Sequence, residues 1–307
     1  MYILDNVNSR VVKWIDGQPL GFTVAGGHGN GTTLDKIGTS CSIYLDDQSN
    51  IYISEYSNHR VTKWLNGNTT AGTIVAGNNT AGSTLYQLRN PWGVFVDSMY
   101  GVYVVDRGNH RLQYWELNAV VGVTVGGQSG VPGAFANQFN LPTAITLDQF
   151  GNLYILDSGN DRIQQWASGA TFGVTVASVA MGTPKGMSFD PFGNLVVADS
   201  GNHRVILFPV ICPQPPNQVC ATSYWNSTFK IVAGYTGSAS SALNRLNYPQ
   251  DVTFDGYRYM YVADYSNNRV IRFNPGSGIS STGKVVAGFT TGGGSGYSQL
   301  SGPTGIY

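Results

Sequence analysis

Short apolar runs, separated by turns rich in Gly and Asn, recur along the whole chain. Two examples are Val94-Phe95-Val96 and Leu153-Tyr154-Ile155-Leu156. No segment shows the 3.6-residue period of an amphipathic helix. Short runs of β-branched and aromatic residues bounded by turn formers are typical of β-strands. The pattern therefore predicts an all-β protein.

One phrase recurs six times. An acid ends an apolar run, an Asn follows three residues later, an Arg two residues after that, and an aromatic residue four residues after the Arg. The acid and Arg of each copy are Asp5 and Arg10, Glu55 and Arg60, Asp106 and Arg111, Asp157 and Arg162, Asp199 and Arg204, and Asp264 and Arg269. Six equivalent copies cannot all form one active site. Because a guanidinium suits a carboxylate and turn carbonyls, we predict that these residues hold turns and strands together.

Each copy extends into a unit of four strands, which we call A to D. Strand A follows a Pro, strand B ends in the motif acid, strand C runs from the Arg to the aromatic residue, and strand D ends in Val-Ala-Gly or a variant. Four strands in each of six units predict a six-bladed β-propeller of four-stranded antiparallel blades. We expect one such domain over residues 1–307.

The chain ends predict how the ring closes. The strand-A Pro precedes the motif acid by 15 residues in four units, but Pro303 lies near the chain end and Asp5 has no Pro before it. The C-terminal segment should therefore supply strand A, and the N-terminal segment strands B to D, of one shared blade.

The repeated Pro-x-Gly and Asn-His-Arg segments, such as Asn58-His59-Arg60 and Asn202-His203-Arg204, resemble NHL repeats. The resemblance covers essentially the whole chain and implies a propeller fold, but such propellers serve unrelated functions. The enzymatic relatives that cleave peptidyl hydroxyglycine use a metal and channel histidines, a set not visible here. The RNA-binding relatives carry a basic face, whereas 17 Lys and Arg balance 17 Asp and Glu in this chain.

The residue after the strand-A Pro, or after its replacement Ser40, is expected to face the channel mouth of such a propeller. These candidates are Cys41, Trp92, Thr143, Lys185, Gln250 and Thr304. They include no carboxylate pair, His cluster or oxygen-rich cage, so we predict no catalytic residue, metal or cofactor among them. Trp92, Lys185 and Gln250 could form a shallow binding surface, or the six residues could simply fill the mouth.

The fifth unit carries a Pro-rich insertion, residues 209–229, between strands C and D. Cys212 and Cys220 bracket its centre and predict a disulfide, with a zinc pair as the alternative; Cys41 is left as a thiol. A disulfide indicates an oxidising compartment. Four possible N-glycosylation sites lie in connections or in the insertion: Asn30, Asn68, Asn78 and Asn226.

Low charge restricts the function classes further. Only 11% of residues are charged and the net charge is zero, which disfavours nucleic-acid and anionic-membrane partners, and no apolar run approaches the ~18 residues of a membrane span. We predict a non-enzymatic, extracellular propeller that binds or assembles with protein or glycan. A glycosylated filament built by exchange of strand A is one form of this hypothesis. The alternatives are a metal-assisted lyase or hydrolase with a channel site and a ligand-sensing receptor ectodomain.

Overall fold

The computed structural model describes residues 1–211, 224–226, 228–289 and 293–307. It confirms an all-β, six-bladed propeller of four-stranded antiparallel sheets. Blade I contains β1 (Tyr2–Asp5), β2 (Arg10–Trp14) and β3 (Gly21–Gly26); blade II contains β4 (Ser42–Leu45), β5 (Ile51–Glu55), β6 (Arg60–Trp64) and β7 (Thr73–Gly77). Blade III contains β8 (Val94–Val96), β9 (Val102–Asp106), β10 (Arg111–Trp115) and β11 (Val123–Gly127); blade IV contains β12 (Ala144–Leu147), β13 (Leu153–Asp157), β14 (Arg162–Trp166) and β15 (Val174–Ser178).

The remaining strands complete the ring. Blade V contains β16 (Met187–Phe189), β17 (Leu195–Asp199), β18 (Arg204–Phe208) and β21 (Lys230–Gly234), with a separate pair β19 (Val210–Ile211) and β20 (Tyr224–Trp225). Blade VI contains β22 (Pro249–Phe254), β23 (Met260–Asp264), β24 (Arg269–Phe273) and β25 (Lys284–Gly288), and β26 (Pro303–Ile306) is strand A of blade I. Each strand A contacts strand A of the next blade, so six inner strands surround a central channel.

The predicted ring closure is confirmed. β26 pairs antiparallel with β1, and the backbone N–H of Tyr2 donates to the Tyr307 carbonyl at 2.8 Å while the Tyr307 N–H donates back at 3.0 Å. Ile306 packs into the buried cluster of blades I and VI beside Ile3 and Trp14. The two chain segments are therefore joined both by backbone hydrogen bonds and by shared apolar burial.

The apolar core lies between neighbouring blades. Leu4 of blade I packs against Ile43, Ile53 and Trp64 of blade II in one buried cluster, and equivalent clusters follow around the ring. The side chain of Trp64 is fully buried. Truncating a buried Trp to Ala typically costs about 3–5 kcal/mol, so these interfaces carry much of the stability.

The motif acid and Arg lie opposite each other on strands B and C, as in the pair Glu55–Arg60. Arg60 is fully buried, its Nε donates to Glu55 at 2.9 Å, and its other nitrogens donate to the carbonyls of Thr32, Thr33 and Lys36. Those carbonyls belong to the loop that arrives from the preceding blade. The motif Arg thus ties the incoming loop to the blade that follows it in every blade except blade V, where Arg204 bonds Asp199 and Thr236 instead.

The residue before each motif Arg adopts a left-handed backbone conformation. Its φ lies between 51° and 57° in Ser9, His59, His110, Asp161, His203 and Asn268. Asn, Asp and His tolerate this region better than most residues, which explains the residue types at this position. In three copies the histidine has a second role, because its Nδ1 accepts the backbone N–H of the residue before the next strand-A Pro, at 3.1 Å.

The insertion in blade V is anchored by Trp225. Its indole is buried, its Nε1 donates to the Gly193 carbonyl at 3.1 Å, and its ring lies 5.2 Å from that of Tyr154 in blade IV. Cys212 and Cys220, the predicted disulfide pair, lie outside the described residues.

Strand direction defines two faces. The upper face consists of the D–A loops and the B–C turns, and the lower face consists of the A–B turns and the C–D loops. The same hydrogen-bond pattern recurs in the A–B turns. Asp46, for example, accepts the backbone N–H groups of Gln48 and Asn50 at 3.1 and 2.8 Å. No helix in the described part of the chain is long and apolar enough to cross a membrane.

Candidate functional site

The central channel contains a cavity of about 240 Å³, lined by the inner strands of all six blades. Its wall contains apolar residues, such as Ile43, Val94 and Met187, and polar residues, such as Ser42, Ser188 and Thr253. At the lower end three aromatic rings meet: the centroid of Tyr44 lies 4.8 Å from Phe95 and 5.3 Å from Tyr307. Burial raises the pKa of Tyr44 above its ordinary value, so its hydroxyl stays protonated at neutral pH. The charged residues of the wall, Lys185 and Asp251, lie instead toward the upper end.

The structure brings five of the six predicted mouth residues to the cavity wall. These are Cys41, Trp92, Thr143, Lys185 and Gln250. The sixth, Thr304, is buried beside them and donates its hydroxyl to the Ser40 carbonyl at 3.1 Å.

Thr143 and Gln250 are also held by neighbours. Thr143 donates to the Pro184 carbonyl at 3.1 Å, and the Gln250 amide donates to the Ser200 hydroxyl at 3.1 Å. These two polar side chains are therefore fixed by hydrogen bonds to neighbouring residues. Trp92 and Lys185 instead contact each other through a cation–π interaction.

The indole of Trp92 contacts two cations and a second aromatic ring. The Lys185 Nζ is 4.2 Å from the ring centroid, the Arg107 Cζ is 5.2 Å from it, and Tyr56 meets it edge-on with centroids 5.7 Å apart. Cation–π contacts of this kind contribute about 0.5–2 kcal/mol. We call Tyr56, Trp92, Arg107 and Lys185 the mouth cluster.

Neither cation of the mouth cluster has a counter-charge. In the described residues, Lys185 and Arg107 form no ion pair, and the Arg107 Nε is buried without a hydrogen-bond acceptor. Burial lowers the pKa of Lys185, and the nearby Arg107 charge lowers it further. Buried donors are usually satisfied, so this site offers positive charge and an unused donor to a ligand.

Cys41 lies near the same two cations but does not act as a thiolate. Burial raises the pKa of its thiol to about 12, although the charges of Lys185 and Arg107 oppose the shift. A nucleophilic cysteine requires a lowered pKa. The side chain is therefore a small neutral group in the wall.

Asp251 is a channel residue that was absent from the predicted set. Its carboxylate accepts the Ile306 N–H at 3.1 Å and the Val252 N–H at 2.9 Å, and it lines the cavity. Burial raises the pKa of Asp251 to about 7, while these two hydrogen bonds oppose the shift. A carboxyl group with such a pKa in a cavity marks a candidate site residue.

Sequence signals for the missed residues exist. Asp251 replaces the Gly of the Pro-x-Gly segment, as in Pro91-Trp92-Gly93. Arg107 follows a motif acid at a position that Ser and Tyr occupy in other units, as in Ser158 and Tyr265. Both residues break the repeat, which is where a single site can arise in a symmetric ring.

The motif histidines do not converge on a metal. His59, His110 and His203 lie on three different blades and accept backbone hydrogen bonds through Nδ1. Across the part of the chain that the structure describes, no group of three His, Cys, Asp or Glu side chains could hold a metal ion.

The four possible glycosylation sites lie in loops of both faces. Asn30, Asn78 and Asn226 are exposed and Asn68 is half-buried. Asn30 and Asn78 are in D–A loops, and Asn68 and Asn226 are in C–D loops. In three of these sites the Asn Oδ1 accepts the N–H of the Thr two residues later, for example in Asn68 and Thr70 at 2.9 Å.

Comparisons with known proteins agree with this architecture. The sequence model of the NHL repeat family matches residues 88–114, which run from the D–A loop into β10 of blade III. The same acid–Asn–Arg pattern is present in every blade. The chain is therefore a six-bladed β-propeller, and the NHL repeat model matches one of its blades, blade III.

Two solved structures have a similar fold at low sequence identity. A nidogen/laminin complex aligns with a TM-score of 0.64 and 17% identity over 92% of this chain and 91% of the other. A streptogramin B lyase structure aligns with a TM-score of 0.55 and 10% identity over 93% of this chain and 78% of the other. No curated protein matches the sequence. At these identities the similarity establishes the fold alone.

Proposed function

We propose that this propeller is a non-enzymatic scaffold that binds a protein partner over the upper mouth of its channel. The observation that carries the proposal is the indole of Trp92 at the mouth, within cation–π distance of both Lys185 and Arg107. Trp, Tyr and Arg are the residues that most often dominate protein–protein binding energy. In this chain all three types meet at one place, where the repeat symmetry is broken.

The related folds are consistent with a scaffold role. One of the similar structures is a complex of nidogen with laminin, in which a propeller of this kind takes part in a protein assembly. The other is a lyase, so the fold also supports catalysis. The decision between the two functions therefore rests on the site.

We further propose that the protein is extracellular. The exposed sequons and the Cys212/Cys220 pair support this proposal. Glycans at Asn68 and Asn226 would cover lower-face loops, and glycans at Asn30 and Asn78 would stand on upper-face loops. Glycan as the partner, and self-association, remain alternative outcomes of the binding experiment.

Panning of a displayed random-peptide library on the immobilised protein tests the proposed function. We expect enrichment of peptides that bind the wild type and are lost on Trp92→Ala, because that change removes the ring to which both cations pack. Phe150→Ala is the matched control, since Phe150 is a 52% exposed aromatic residue in a lower-face turn. Absence of enrichment, or peptides that bind Trp92→Ala and the wild type equally, would contradict the proposal.

Asp251 favours a second candidate, an enzyme that acts on a small substrate inside the channel. A carboxyl group with a pKa of about 7 can both accept and donate a proton near neutral pH. This candidate, in its metal-assisted form, predicts bound metal by elemental analysis and activity lost on chelation. It also predicts that Asp251→Asn abolishes turnover, whereas the scaffold proposal expects peptide binding to survive that change.

A further inference from the structure

We propose that the mouth cluster binds a carboxylate, presented by an acidic side chain of the protein partner, between Lys185 and Arg107. The inference rests on the proposed function, because it names the chemistry that the same site recognises. The ring of Trp92 would form one wall of the carboxylate site, and the two cations would supply its donors.

The first argument is the uncompensated charge. Lys185 is largely buried, and its pKa is lowered because burial and the charge of Arg107 both disfavour the ammonium form. Two half-buried cations near one indole repel each other, and within the described residues no carboxylate forms an ion pair with either of them. An anion placed between them removes the repulsion and gains two favourable contacts.

The second argument is the unused donor on Arg107. Its Nε is buried and has no acceptor in the described residues, although arginine normally places its N–H groups against carboxylates or carbonyls. The motif arginines show the contrast, since Arg111 donates to Asp106 and to three loop carbonyls. Arg107, four residues earlier in the same turn region, keeps one donor that no described protein group accepts. Carboxylates match the guanidinium fork in two-point contacts.

The third argument is the charge of the surrounding surface. The six motif ion pairs neutralise themselves, and the upper face then carries an excess of bases over acids. Its remaining bases are Lys36, Arg89, Arg107, Lys185 and Arg245, and its remaining acids are Asp35, Asp161 and, in the channel wall, Asp251. The lower face has the opposite balance, with acids at Asp16, Asp46, Asp47, Asp97, Glu116, Asp148, Asp190 and Asp255 against six bases. An acidic peptide is therefore attracted to the upper face and turned away from the lower one.

Titration of ¹³C-dimethylated lysines with a triglutamate peptide tests the inference by NMR, with Lys185→Met to assign the relevant signal. At constant ionic strength, we expect only the Lys185 signal to move saturably. Arg107→Gln should weaken this binding at least about tenfold, because it removes a charged hydrogen-bond donor. Arg245→Gln is the control: Arg245 is an upper-face cation that stacks on Tyr235 and should leave the affinity unchanged. Thermal unfolding of each variant establishes that it is folded.

Three results would overturn the inference. They are no saturable shift of Lys185, equal affinity in Arg107→Gln and the wild type, and tighter binding of inorganic phosphate than of triglutamate, which would assign the site to phosphate. The proposed scaffold function is tested by a different result from the one that tests the carboxylate site. Library peptides that need Trp92 but lack acidic residues and bind Arg107→Gln normally would support the scaffold and refute the carboxylate site.

Discussion

At the scale of single residues, the six motif arginines are largely or fully buried, and each donates hydrogen bonds to nearby acceptors. The number of these hydrogen bonds differs from one motif Arg to another. Arg60 donates to Glu55 and to three carbonyls of the incoming loop. Arg204 donates to Asp199 and to the Thr236 hydroxyl, and its guanidinium lies over Phe229. The loop before blade V is short, since Arg162 and Arg204 are only 42 residues apart, and it provides no carbonyl cradle.

This difference in hydrogen bonding predicts that Arg→Lys substitution lowers the free energy of unfolding more at Arg60 than at Arg204. Arg60→Lys loses the fork that reaches Glu55 and the loop together, so we expect a loss of about 3 kcal/mol in the free energy of unfolding. Arg204→Lys loses fewer bonds and should cost about 1 kcal/mol. Urea unfolding of the two variants measures the difference. Equal costs would show that the loop carbonyls contribute little.

Asp251 predicts a pH-dependent stability difference. Its pKa is raised to about 7 in the folded protein, against roughly 3.9 in the unfolded chain. Between these values the folded state keeps a proton that the unfolded state has lost, so the stability contributed by this group falls as pH rises from about 4 to about 7. Asp251→Asn stays neutral, keeps an acceptor for the Ile306 N–H, and should gain stability relative to the wild type over that range.

Urea unfolding from about pH 4 to about pH 8 measures this difference. Asp16→Asn serves as the control, because the Asp16 side chain is 77% exposed and its change should give a flat difference. A flat difference for Asp251→Asn as well would mean that Asp251 titrates normally.

The repeat predicted the propeller and placed Trp92 and Lys185 at the mouth, since equivalent positions share an environment. It did not identify Arg107 or Asp251. Lys185 and Arg107 are 78 positions apart, and only the packing of successive blades brings them to one indole. The rise in the Asp251 pKa depends on burial, which a channel-facing position does not fix by itself.

At the scale of elements, the insertion of blade V departs from the repeat and could not be placed by it. Pairing of β19 with β20 brings Trp225 back against Tyr154 and Phe189. The sequence predicted a staple at Cys212 and Cys220, but an apolar anchor at the end of the insertion was not anticipated. The anchor joins blade V to blade IV toward the lower face, because its partner Gly193 lies in the A–B turn of blade V.

Trp225→Ala should therefore destabilise the whole protein, by about 3–5 kcal/mol, because it empties a buried site between two blades. Thermal or urea unfolding measures the loss. Phe192→Ala, at a 42% exposed aromatic residue of the same blade, is the control and should cost much less. An unchanged free energy of unfolding in Trp225→Ala would indicate that the contacts of the insertion do not stabilise the protein.

At the scale of the molecule, β26 completes the blade of its own chain, whereas the filament hypothesis requires it to complete that of a neighbour. Both arrangements form the same backbone bonds, but the ends of one chain meet at a far higher effective concentration than the ends of two. We expect the protein to elute as a monomer in size-exclusion chromatography over a wide range of concentration. Growth of larger species with concentration would instead support strand exchange.

The shared blade also fixes where the chain enters and leaves. β1 begins and β26 ends at the lower face, where the Tyr2 and Tyr307 backbones are hydrogen-bonded to each other. Any tag, surface or tether joined to either end is consequently attached on the side opposite the mouth cluster. If the protein is immobilised by its ends on a surface, Trp92 and its two cations therefore lie on the face that points away from that surface.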